Sequence, residues 1–332
     1  MFNRRSFVKL LSGAALLPYV PAFGSAEVSP ELPTILNYTK EGQVYVSCLH
    51  KQGDQLTLSA SDPQGVNYVS ESVVNYNLPK GEFAISRFFF SKFIKNIQYQ
   101  LKISSVMSGK TLLKSFVLPD LDSKTCRLAV ISCTSYRQSI RTLMWNKVYA
   151  ADPDAIILIG DAVYADSFID VTLRRPASVE TYIGSFVLTW QQLSHYTREK
   201  LIPTLSIWDD HDFGWNNGSG DRPDKKAISE IYRNFYYIPP NNDRITNGPG
   251  ISFSWDAFGS RFIFLDDRTF RSYSKSVEVN TCWGTEQKAW IEKQVNESSV
   301  KNVFMINGSQ FQSNDQASDG VSNNHKADFD WM

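Results

Sequence analysis

The chain has 332 residues, with 34 basic and 34 acidic side chains, 42% apolar residues and 13% aromatic ones. A formal charge of zero argues against the basic surface that nucleic-acid binding needs, and the apolar content argues against a disordered chain. The length is enough for two domains.

The first element is a leader. Residues 1–26 set Arg4, Arg5 and Lys9 ahead of a modest apolar segment and a Gly24-Ser25-Ala26 end that resembles a cleavage site. This is the pattern of a twin-arginine-type signal peptide. Interruption at Gly13, Pro18 and Pro21 suits neither a core helix nor a membrane span. The expected partner is the twin-arginine export machinery, the expected location is periplasmic or secreted, and no transmembrane segment is expected in the mature chain. Twin-arginine export carries folded proteins, and loading a cofactor before export is a common reason to fold first. Cys48, Cys126, Cys133 and Cys282 show no zinc-ligand spacing, and no disulfide pair can be chosen among them.

From residue 27 to 122 the apolar pattern has period two. In IQYQLKI, Ile97, Tyr99, Leu101 and Ile103 alternate with Gln98, Gln100 and Lys102, as a strand with one wet face requires. QVYVSCL, QLTLSA, EFAISRF and TLLKSFVLP repeat the theme between turn signals such as DPQG, which predicts an antiparallel β-sandwich with Cys48 and His50 as packing residues. LPDLDSKT (118–125) reads as a linker.

Residues 123–332 change period. RLAVIS, AIILIG, PTLSI, RFIFL and NVFMIN read as fully buried strands, separated by helical stretches. Ile140, Leu143, Met144 and Val148 share one helical face, and residues 224–237 and 284–295 form two more amphipathic helices. The predicted class is α/β. Each apolar strand runs into polar residues: Cys133, Asp161, Asp209 with Asp210, Asp266 with Asp267, and Asn307. In open α/β sheets the site lies beyond the carboxyl ends of the strands, so five distant segments converge on one rim.

The densest stretch on that rim is IWDDHDFGWNN (207–217). Asp209, Asp210 and Asp212 repel one another when ionised, and crowding them beside Trp208, Phe213 and Trp215 destabilises the fold unless a cation neutralises them. A solvated acidic turn is the alternative. LIGDAVYAD (158–166) adds Asp161 after Gly160, and Tyr164 three residues on. Glycine lets the chain turn sharply, so carboxylate and phenol can reach one centre.

Together these two stretches resemble the PhoD-type alkaline phosphatases of the calcineurin-like metallophosphoesterases, and ISCTSY, FSWDAFGSRFIFLDDRTFR and WGTEQKAWIEKQV follow in the same order. The resemblance spans about residues 30–331. It implies a β-sandwich followed by a metallophosphoesterase-type α/β sandwich, and hydrolysis of phosphate monoesters or diesters. It also implies a ferric iron (Fe3+) ligated by Cys133, Asp161 and Tyr164, anionic donors suited to a trivalent ion. A calcium (Ca2+) is implied at Asp209 or Asp210 and Asn216, with Asp161 bridging. Cys133 as a buried structural thiol is the alternative at that position. His211 stands where the superfamily places a histidine for electrostatic support or acid catalysis. Arg268 and Arg271 are placed either to grip phosphate or to form an Asp266–Arg268 type of ion pair. His195 and His325 are expected on the surface.

The resemblance also implies a further strand with a Gly-Asp-x-His-like loop. Nothing after NVFMINGSQFQ matches it, so the chain is expected to be truncated at its C-terminus. A non-catalytic exported binding protein and a nucleotide- or phospholipid-specific phosphoesterase are the competing readings.

Overall fold

Period-two alternation of apolar and polar residues makes the N-terminal region a set of strands. The computed structural model describes residues 32–79, 81–135, 140–166, 168–273, 279–313 and 319–332; the expected signal peptide lies outside them. Eight strands come first: β1 (Thr34–Lys40), β2 (Gln43–Lys51), β3 (Leu56–Ser61), β4 (Asn67–Val69), β5 (Ser72–Asn77), β6 (Phe83–Phe90), β7 (Gln98–Ser105) and β8 (Thr111–Val117). They form antiparallel sheets in the orders β1-β2-β6-β5 and β8-β7-β3-β4. In β7, Tyr99, Leu101 and Ile103 are buried while Gln98, Gln100 and Lys102 are exposed. Phe93 joins the sheets, its ring 5.6 Å from Phe90 of β6, 4.5 Å from Tyr99 of β7 and 5.5 Å from Phe116 of β8. Cys48 lies in this core and His50 beside it, its ring bonded to Ser86 Oγ at 2.7 Å.

The segment expected to be a linker is packed instead. Leu118 and Leu121 are buried, and the Phe258 N–H donates to Leu121 O at 2.7 Å. Apolar side chains and a backbone bond to a distant turn hold it down.

The second half holds β9 (Leu128–Ile131), α1 (Ile140–Ala150), β10 (Ala155–Ile159), α2 (Phe168–Leu173), α3 (Val179–Gln192), α4 (Ser194–Thr197), β11 (Lys200–Leu201), β12 (Thr204–Ile207), α5 (Asp210–Phe213) and α6 (Lys225–Phe235). After these come β13 (Ile245–Asn247), β14 (Phe253–Ala257), β15 (Ser260–Phe264), α7 (Gly284–Asn296), β16 (Asn302–Ile306), α8 (Val321–Asn324) and α9 (Lys326–Trp331). A parallel sheet runs β12-β10-β9, and a mixed sheet runs β13-β14-β15-β16 with only the last pair parallel. β11 extends the N-terminal sheet by pairing with β8. The molecule is thus mixed α/β with an N-terminal β-rich region. No helix among the described residues is long and apolar enough to cross a membrane.

Three sequence expectations need correction here. β9 and β16 are outer strands rather than fully buried ones, and Val130 and Phe304 are exposed. On α1, Leu143 faces out and Trp145 is buried, because Trp145 stacks on His195 at 4.5 Å. His195 itself was expected on the surface and is 3% exposed, with Nδ1 3.1 Å from Tyr149 Oη. All four cysteines are unpaired.

Burial, then the charge of Arg198, pushes the His195 pKa down to about 3. Its folded pKa lies below the unfolded one, so its contribution is complete above the unfolded value, near 6.5, and is lost as pH falls toward 3. Urea unfolding from pH 7 to pH 4 is expected to show a stability loss that His195→Phe reduces by about 1 kcal/mol per pH unit. Parallel curves for the two proteins would show that His195 is not excluded from protonation.

Candidate metal centre

The strand ends are stitched in series by their backbones. Cys133 N donates to Gly160 O at 3.3 Å, Thr134 N to Asp161 O at 2.8 Å, and Gly160 N to Ile207 O at 3.0 Å. Gly160 has φ +88°, and a Cβ there would sit 2.5 Å from Asp209 Cβ; at Gly308 a Cβ would lie 2.4 Å from Trp208 O. Only glycine lets these two loops close on the end of β12. Asp161 and Cys133 also adopt positive φ, +53° and +56°. Such left-handed backbone at non-glycine residues is a strain that persists where the surroundings enforce it.

The turn brings Cys133, Asp161 and Tyr164 together. Cys133 Sγ lies 3.6 Å from Asp161 Oδ2, and the Tyr164 ring stacks on His211 at 4.3 Å. Asp161 Oδ1 is buried with no hydrogen-bond partner among the described residues. Burial, then Asp210 and Asp209, drive the Asp161 carboxyl far above the carboxylate range. Burial and Asp161 push the Cys133 thiol up, and burial, Asp161 and Cys133 push the Tyr164 phenol up. A bound cation reverses each of these shifts.

Asp161, Asp210 and His211 offer ligand atoms within 4.8 Å of one another. The loop after α5 closes on Asp210, whose Oδ2 accepts from Asn217 N at 2.8 Å. Asn216 sits in that loop, partly exposed. Asp209 turns the other way: its Oδ1 accepts from Arg268 Nε at 2.9 Å, from Arg268 Nη2 and from Ser309 Oγ at 3.0 Å. Asp212 is fully buried and acts as a staple, accepting from Val163 N at 2.7 Å and Asp209 N at 3.1 Å. His211 Nδ1 bonds Asp166 Oδ1 at 2.7 Å. Burial alone lowers the His211 pKa, but that bond and the nearby Asp210 and Asp161 outweigh it and hold the ring at about 9.

Arg268 is buried and its five N–H donors are all used. Besides Asp209, it donates to Asp319 Oδ2 at 2.7 Å, Gly218 O at 3.2 Å and Ser309 Oγ at 2.8 Å. Asp266 is not its ion-pair partner: that carboxylate accepts from Trp208 Nε1, Ile251 N and the Arg268 and Thr269 N–H groups. Arg271 donates to Asp267 O at 2.8 Å and Ser309 Oγ at 2.7 Å. His325, expected on the surface, is fully buried 5.2 Å from Tyr273, and it is not part of the Asp161 cluster. Burial, then Arg271, lowers its pKa to about 4. The reason is local: Asp328 caps Cys282 N and Trp283 N at 2.7 and 3.2 Å, folding the C-terminal polar run onto α7 and covering the ring.

Sequence reading missed the Asp166–His211 pair, although Asp166 closes the stretch LIGDAVYAD, and it missed the Asp209–Arg268–Asp319 chain. The donor set fits metal ions: one thiol and one phenol that a cation would ionise, with several carboxylates, gather at a carboxylate whose Oδ1 is buried and unpartnered.

No curated protein matches the sequence. Several solved structures resemble part of it, two of them as follows. Bovine butyrophilin matches at 12% identity and a TM-score of 0.22, over 27% of this chain and 43% of that one. Domain C3 of an IgNAR antibody matches at 17% identity and 0.20, over 25% and 90%. The chain thus spans less than half of butyrophilin, and likenesses this slight carry no argument. Residues 128–330 match the family described as PhoD-like phosphatase, which takes in every side chain of the rim from Cys133 to Asp319. The chain therefore belongs to the PhoD-like phosphatase family.

Proposed function

We propose that this chain is an exported, metal-dependent phosphoesterase acting on phosphate monoesters or diesters, on a metallophosphoesterase-type α/β sandwich. The observation that carries the reading is the Asp161–Asp210–His211 cluster around an oxygen that has no protein partner. Ferric iron is assigned to Cys133, Asp161 and Tyr164, and calcium to Asp161, Asn216 and one of Asp209 and Asp210. Asp210 is favoured because Arg268 already holds Asp209. The ions, when bound, neutralise phosphate oxygens and acidify a water at neutral pH.

The remaining work falls to the chain. His211, oriented by the bond from its Nδ1 to Asp166, is placed to supply a proton or a positive charge near the leaving oxygen. Arg268 contributes by fixing Asp209 and the Ser309 loop, since its donors are already taken. Asp212 locks the Val163 and Asp209 backbones so that both ligand loops keep their spacing. The twin-arginine-type leader supports export to the periplasm or beyond.

Hydrolysis of an aryl phosphate and a bis-aryl phosphate tests this directly. Chelation is expected to remove activity on at least one substrate, and ferric iron with calcium to restore it. Activity that survives complete metal removal contradicts the proposal.

A further inference from the structure

Strand register gathers an aromatic and polar patch on one face of the first sheet. Tyr45 of β2 stands opposite Phe89 of β6, which in turn stands opposite Ser72 of β5; one row along, Ser47 faces Arg87 and Arg87 faces Val74. Rows two residues apart share a face, so all six side chains point the same way. Tyr237, just beyond α6, lies over this face, and its carbonyl accepts from Asn37 Nδ2 at 3.0 Å. The Tyr45 ring is 4.9 Å from Phe89 and 4.9 Å from Tyr237. Among these rings is a cavity of about 200 Å³, lined also by Arg87, Tyr76 and Val74.

Arg87 is the charged residue of this lining, and it is 4% exposed. Its Nε donates to Ser47 Oγ at 3.1 Å, and its Nη2 donates to Asn234 O at 2.8 Å and Arg233 O at 3.4 Å, carbonyls at the C-terminal end of α6. The guanidinium carbon lies 3.9 Å from the centre of the Tyr237 ring and 4.8 Å from that of Tyr76. Carbonyl dipoles and ring faces favour the charge without cancelling it. No carboxylate among the described residues pairs with Arg87, and Nη1 takes part in none of these bonds. A buried cation without an anion is costly, so the cavity favours a guest that brings the negative charge.

We propose that this cavity, separate from the Asp161 cluster, is a binding site for a small aromatic monocarboxylate. One cation without an acidic partner matches one carboxylate, and Nη1 supplies charge-assisted donors to it. The Tyr45, Phe89 and Tyr237 rings match a flat apolar body. Drug-sized ligands fill pockets of about 300–1,000 Å³, so this smaller space limits the guest to about one ring. A ligand of that size binds in the range of about 10⁻⁴–10⁻³ M. It touches both the first sheet and Tyr237, so it braces the junction between the two halves of the chain.

Equilibrium dialysis of radiolabelled benzoate against the full chain tests the site, with benzyl alcohol as its neutral counterpart. Saturable benzoate binding is expected, and benzyl alcohol is expected to bind about tenfold more weakly or worse, since it lacks the charge that Arg87 answers. Val74 is 47% exposed and pairs with Arg87 across β5 and β6, so Val74→Trp sets an indole into the cavity without disturbing the core. That variant is expected to lose about tenfold or more in benzoate affinity. The comparison of the two ligands needs no variant, so it decides the matter even where Val74→Trp folds poorly. The proposal is overturned by any of three results: no saturable benzoate binding up to about 10⁻² M, benzyl alcohol binding as tightly as benzoate, or a folded Val74→Trp protein binding benzoate like the wild type.

Discussion

Asp161→Asn is expected to abolish phosphoesterase turnover, by about 10³-fold or more, and to leave the chain unable to retain its metals. Asparagine is the informative substitution because it tolerates the left-handed backbone that Asp161 adopts at φ +53°. The turn after Gly160 therefore survives, and what disappears is the negative charge. In the wild type that charge lies within ligand reach of Asp210 and His211, with Oδ1 unpartnered. A bridging carboxylate serves two ions, so its loss weakens both. Without ions, burial and the neighbouring Asp210 and Asp209 force Asp161 toward its neutral acid form, a cost of folding that asparagine does not carry, so the metal-free variant is expected to be at least as stable as the metal-free wild type. Steady-state hydrolysis, metal content and urea unfolding of the two proteins check these outcomes together. A variant retaining wild-type rate and metal removes Asp161 from the centre.

Arg268→Met is the second large effect, and it falls on stability. The guanidinium is 1% exposed and sits among Asp209, Asp267 and Asp319. Methionine fills similar space but leaves buried carboxylates without their cation, a loss of about 3–5 kcal/mol. Asp209 is then free to swing from Ser309, so the rim loosens as the fold weakens. Arg268→Lys keeps the charge without the fork that reaches Asp209 and Asp319 at once, and is expected to recover only part of the stability. Urea midpoints of the three proteins measure this; a methionine variant as stable as the wild type shows that the network contributes nothing net.

Much of the scaffold was legible because periodicity reports it. The alternation through Tyr99, Leu101 and Ile103 marked β7, and the strands ending at Cys133, Asp161 and Asp209 were each anticipated. Which strands lie outermost was not legible, since β9 and β16 are as apolar as the central β10 and differ only in having one neighbour. Charged and imidazole side chains were misread for a related reason. His195 and His325 sit in polar or mixed sequence, and their burial comes from Trp145 and Tyr273, contacts spanning 50 residues or more. Within IWDDHDFGWNN, sequence could count three aspartates but not separate them. Only the fold gives Asp209 to Arg268, Asp210 to the Asp161 cluster and Asp212 to the backbone of Val163.

The most direct test of the metal centre is the visible absorption spectrum of the purified holoprotein, read beside its metal content, for the wild type and Tyr164→Phe. Tyr164 stacks on His211 and its hydroxyl pairs with Cys133, so phenylalanine keeps the ring stacking while removing the phenolate. A ferric ion held by a phenolate absorbs visible light; the account predicts a coloured wild-type protein containing iron and a band that is lost or strongly shifted in Tyr164→Phe. An active wild-type protein that is colourless and free of iron, or a Tyr164→Phe variant with the wild-type spectrum, contradicts it.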